Sequence, residues 1–135
     1  MSCTLGVRRR KPAAGKYTKP NIWDEACQLE IIRDGEPLDP GVNYFVLMLE
    51  QLGLATEFSC EGHPNDFYIM FFAPYEAALD IKSAGYFTVE IEGMERWSLR
   101  LSYRLKTSGE RVDRFRWAAG AWEKRFGPLN FEAVV

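Results

Sequence analysis

Cys60-Glu61-Gly62-His63-Pro64 sets a thiol, a carboxylate and the only histidine of the chain within four residues of one another. Three chemistries fit those groups. Cys60 as a nucleophile needs a base or a cation beside it, which His63 or Glu61 would supply. Against this, neighbours on a tight loop rarely point at one another, and the sequence has no second histidine. Cys60-x-x-His63 also has a spacing compatible with zinc, and with Cys3 and Cys27 it completes a Cys3His count. Structural zinc sites are built from two short paired motifs, whereas these cysteines are scattered, so no metal and no other cofactor is expected. The third chemistry is recognition without reaction. Gly62 lets the backbone turn, Pro64 stiffens it, and Ser59, Glu61, His63, Asn65 and Asp66 offer donors and acceptors. A binding loop over Ser59–Asp66 is the favoured reading. The alternative is purely structural, with Cys60 a small core residue, Gly62 a turn former and His63 a cap on a neighbouring carbonyl.

The stretch Thr56-Glu57-Phe58-Ser59-Cys60-Glu61-Gly62-His63 resembles the Ser-Cys-x-Gly-Arg loop that follows a strand in the wybutosine-synthesising tRNA methyltransferase family. The resemblance covers these eight residues of 135, with Ser59, Cys60 and Gly62 at the matching positions and His63 where the family has arginine. It implies an S-adenosylmethionine-dependent enzyme acting on tRNA.

Arginines form the second candidate group. Arg96, Arg100 and Arg104 alternate along one strand with Ser98 and Ser102, beside Thr88, Glu90 and Glu92 of its hairpin partner. With Arg8-Arg9-Arg10-Lys11 near the N-terminus and Arg111, Arg114 and Arg125 on a later helix, they suit contact with nucleic acid. Stacking of bases on a sheet needs several exposed rings, and only Tyr86 is assured on that face. A ladder in which Glu90 and Glu92 satisfy Arg96 and Arg100 is the competing expectation.

Charge is segregated along the 135 residues. Residues 1–20 carry six basic groups and no acid; residues 21–95 carry fifteen acids against Arg33 and Lys82; residues 96–135 carry nine basic groups and four acids. With 47% hydrophobic residues the chain can build a real core. Scattered, odd-numbered cysteines, no apolar run long enough to span a bilayer and no secretory signal point to a cytoplasmic protein without a membrane partner.

The elements that must position these groups follow from periodicity. Residues 1–20, with Pro12, Gly15 and Pro20 and no hydrophobic period, read as a flexible basic arm, and residues 21–135 as a single domain. Ala26–Arg33 alternates as a strand and ends at the turn pair Asp34-Gly35. A helix greasy on most sides runs from Asp39-Pro40 to Gly53. Ala55–Cys60 and Phe67–Ala73 are strands joined by the polar loop, the second apolar on both faces and therefore central. Pro74 opens a helix that Gly85 closes. In the hairpin that follows, Ile91 must face Trp97 and Val89 face Leu99 if the apolar parities are to agree, with Gly93-Met94-Glu95 as the loop. Thr107 and Glu110 form a capping box for a last helix whose apolar row is Val112, Phe115, Ala119, Trp122 and Phe126; Trp117 falls off that row. The order β-α-β-β-α-β-β-α predicts an α+β fold, a mainly antiparallel sheet with helices packed on one face. The function expected is a small non-enzymatic binding or regulatory protein docking on a protein or nucleoprotein partner. The alternative is an enzyme acting on RNA or a nucleotide through Ser59–Asp66.

Overall fold

The computed structural model describes residues 5–9, 21–60, 67–101 and 108–131. In chain order the elements are β1 (Leu5–Arg9), α1 (Ile22–Cys27), β2 (Leu29–Arg33), β3 (Glu36–Pro37), α2 (Asn43–Gln51), β4 (Thr56–Cys60), β5 (Tyr68–Phe72), α3 (Tyr75–Ser83), β6 (Phe87–Gly93), β7 (Arg96–Leu101) and α4 (Ser108–Phe126). The fold is α+β and every strand pair is antiparallel.

The expected single sheet is two sheets, ordered β1-β2-β3 and β4-β5-β7-β6. The turn after β2 explains the division. Asp34 and Gly35 both take positive φ, 52° and 80°, the hairpin geometry whose twist matches the flanking strands. The chain therefore folds back at once, Arg33 opposite Glu36. Pro37, with no amide hydrogen, ends that ladder after two pairs. The other edge of β2 is taken by Leu5–Arg9, which lie in the segment read from sequence as a flexible arm. The strand expected from Ala26 begins only at Leu29, because Asn21 caps a six-residue helix ahead of it, its side chain accepting from the Trp23 amide at 2.8 Å. Asn43 then ties α1 to β2: its buried amide group donates to the Ala26 and Leu29 carbonyls at 3.0 and 2.9 Å.

The four-stranded sheet buries one face under α2 and α4. Every residue of α2 from Asn43 to Leu49 is buried, as its all-round apolar sequence requires. Phe45 sits at the centre of an aromatic cluster, with ring centroids 5.0 Å from Phe87, 5.1 Å from Trp122 and 5.9 Å from Phe67. Ile69, Phe71 and Leu99 present the sheet's side of this core and are fully buried. On the outer face of β5, Tyr68 and Met70 are half-buried and Phe72 is exposed.

The β6–β7 register has Ile91 opposite Trp97 and Val89 opposite Leu99, as parity demands. Its tip differs by one residue. Gly93 rather than Glu92 faces Arg96, so Met94 and Glu95 form the turn and Glu92 is absorbed in an irregularity between Ile91 and Gly93. Glu95 accordingly takes a φ of 55°. Gly127, at φ 90°, ends α4.

Candidate functional site

Period-two alternation in β2 buries Leu29 and Ile31, and the same parity turns Arg33 inward, leaving it 8% exposed. A guanidinium cannot be buried without acceptors, and β4 supplies them. The register of β4 on β5 breaks between Thr56 and Ser59. At that irregularity Arg33 donates to the Glu57 carbonyl and to the Thr56 hydroxyl, linking one sheet to the other. Glu50, in the last turn of α2, completes the knot. Its Oε1 accepts from the Thr56 amide and hydroxyl at 2.9 and 2.8 Å and lies 3.9 Å from Arg33.

Beside this knot lies a cavity of about 570 Å³, open between the β2–β3 hairpin and β4. Two exposed rings wall it, Phe58 at 57% and Phe72 at 40%, together with Pro37 and Leu38. Among the described residues, Asp34, Glu36, Asp39 and Glu57 are the acids of its lining, against the single cation Arg33. Glu57 also meets Arg96, whose Nε stands 3.2 Å from its Oε2. The described lining contains hydroxyls, carboxylates and a guanidinium, with no thiol or imidazole. Such walls hold an apolar group and attract a positive one. Among the described residues no three of His, Cys, Asp and Glu come together as a group able to hold a metal ion.

The residues singled out from sequence divide into three sets. Ser59 lines the cavity, and its buried hydroxyl has no hydrogen-bond partner among the described residues. Cys60 follows it, half-buried and opposite Tyr68 in the ladder, outside the cavity wall. Glu61, Gly62, His63, Asn65, Asp66 and Arg104 lie outside the described residues, as do Cys3 and Thr107. Arg96 and Arg100 are half-buried rather than presented as a free cationic row. Arg96 pairs with Glu57, not with Glu92, and Arg100 stacks over Tyr68 at 5.5 Å from the ring centroid. Glu92 instead accepts from the buried Ser98 hydroxyl at 2.7 Å. Tyr86 leaves the outer face expected for it. Its φ of 68° turns it toward the core, where it is half-buried.

Sequence reasoning overlooked Phe58, Phe72 and the acids of the β2–β3 turn. Phe72 was legible in the parity of Phe67–Ala73, which puts Tyr68, Met70 and Phe72 on the face away from the helices. Phe58 was not, because the register break in β4 disturbs the alternation that would have placed it. No described helix is long and apolar enough to cross a membrane. Comparison with known proteins adds no relative: no family model, no curated protein and no solved structure matches this chain.

Proposed function

We propose that this is a non-enzymatic binding protein that engages a protein partner through the cavity between the β2–β3 hairpin and β4. The occupant is a segment that inserts an apolar side chain between Phe58 and Phe72 and carries lysine or arginine beside it. One observation carries this reading: exposed aromatic walls and an acidic lining share a preformed cavity at a sheet edge. Apolar contact supplies affinity and the carboxylates of Asp34 and Glu36 select the charge of the partner. The same acids disfavour a phosphate backbone at this place, so a protein segment is favoured over nucleic acid. The register break and the Arg33 bond to the Glu57 carbonyl obstruct addition of a further strand along β4, which leaves side-chain insertion as the mode of docking.

The test uses three labelled probes followed by fluorescence anisotropy: a leucine-centred peptide flanked by lysines, its glutamate-flanked counterpart, and a single-stranded RNA. The lysine-flanked peptide is expected to bind, more weakly as salt rises, and to shift the amide resonances of residues 34–39 and 56–59. Phe58→Ser and Glu36→Lys are each expected to weaken it roughly tenfold while the fold persists, since both side chains are exposed. Preference for the glutamate-flanked peptide or for RNA, or binding indifferent to both substitutions, overturns the proposal.

A further inference from the structure

Trp117 is 56% exposed, whereas Trp23, Trp97 and Trp122 are all buried. It projects from the side of α4 opposite the row of Phe115, Ala119 and Trp122 that fills the core. Arg114 stacks on it at 5.4 Å, which shields one face of the indole. Along the same outward stripe, at spacings of three and four, lie Asp113, Gly120, Ala121 and Lys124. Asp113 and Lys124 are exposed, Asp113 with its Oδ1 3.8 Å from Arg116, and Gly120 leaves a gap in the side-chain layer: a Cβ built there would stand in open space, with nothing within 4 Å. A large ring therefore sits one helical turn from a gap on the same stripe, and an acid and a base stand at equal distances on either side of them.

That order is its own complement when reversed. Two α4 helices laid antiparallel about a twofold axis between residues 118 and 119 set Trp117 against Gly120 of the second copy, and Asp113 against Lys124. Each contact occurs twice, as a closed twofold interface requires. We infer that the outward face of α4 is a homodimer interface, with Trp117 of each copy packed over the side-chain gap at Gly120 of the other and closed by two Asp113–Lys124 ion pairs. The occupant is a second copy of this chain because the reversed register sets each acid against a base and each ring against a position without a side chain. A parallel arrangement would place Asp113 on Asp113 and Lys124 on Lys124. The contact spans only about three helical turns, so association is expected in the roughly micromolar to hundred-micromolar range. It uses a different element from the cavity, so neither proposal depends on the other.

Sedimentation equilibrium of the full chain over a concentration series tests this. The parent is expected to pass from monomer to dimer, and its exposed tryptophan fluorescence to become less quenchable by acrylamide over the same range. Asp113→Lys alone and Lys124→Glu alone each put like charges together twice and are expected to weaken dimerisation about tenfold or more. The double variant restores opposite charges and is expected to return to within about threefold of the parent. Gly120→Gln puts a side chain into that gap and is expected to abolish the dimer, with circular dichroism confirming that the helix content is retained. A parent that remains monomeric throughout the range overturns the proposal. So does a dimer whose strength the single charge reversals leave unchanged, or one that the double variant fails to restore.

Discussion

Arg33 shows how a residue's environment is decided by its neighbours in sequence before its own chemistry has a say. The alternation that hides Leu29 and Ile31 hides Arg33 too, and the fold accommodates the charge by bringing Thr56, the Glu57 carbonyl and Glu50 to it. Removing the guanidinium leaves Glu50 without its counter-charge and the Glu57 carbonyl without that donor. Arg33→Ala is therefore expected to cost about 2–4 kcal/mol in urea unfolding, and Arg33→Lys to recover little, because one ammonium cannot reproduce the planar fork that reaches two acceptors. This burial was readable in principle. Arg33 holds the inward parity of a recognisable strand, yet in a charge count it figures only as one of two cations among fifteen acids in residues 21–95. What could not be read was the partner, since Thr56 and Glu57 lie more than twenty residues away on a different sheet.

At the level of elements, legibility follows the length and regularity of the pattern. The β6–β7 hairpin was legible because two long runs had to agree in phase, and only one phase joins Ile91 to Trp97. Its tip was not, because a bulge costs one residue of register without changing which side chains share a face beyond it. The six residues of α1 make fewer than two turns, too few for a helical period to declare itself against the alternating residues that follow. The tip also makes a measurable statement. Glu95 holds a left-handed conformation, with φ of 55°, that favours glycine. Glu95→Gly is expected to stabilise the protein by about 0.5 kcal/mol in thermal or urea unfolding, relief of the backbone outweighing the entropy that glycine adds to the unfolded chain.

For the molecule as a whole, the decisive feature is one aromatic core clamped between α2, α4 and the four-stranded sheet, and it has a pH signature. Tyr44 is fully buried and its hydroxyl has no hydrogen-bond partner among the described residues. Burial, and after it the negative charge of Glu123, pushes its pKa well above the ordinary phenol range. The fold thus favours the protonated phenol. The stability linked to it is intact below about pH 10, the ordinary tyrosine value, and is lost as pH rises above that toward the elevated one. Tyr44→Phe removes both the linkage and the unpaired hydroxyl. Its melting temperature is expected to equal or exceed the parent's at pH 7 and to fall less steeply between pH 9.5 and 11.5 in scanning calorimetry, by roughly 2 kcal/mol of retained stability. Two sheets in place of one were beyond sequence reasoning, because the partner strand of β2 comes from a short stretch whose basic flank masked its Leu-Gly-Val alternation. The register break in β4 has a bearing on how the protein behaves when crowded. A flat outer strand is a template on which identical chains stack into fibrils, and growth needs a continuous ladder of vacant amides and carbonyls. Here the Thr56 amide is held by Glu50 and the Glu57 carbonyl by Arg33, so a newcomer finds two neighbouring backbone groups already taken at the register break, which disfavours propagation from that margin.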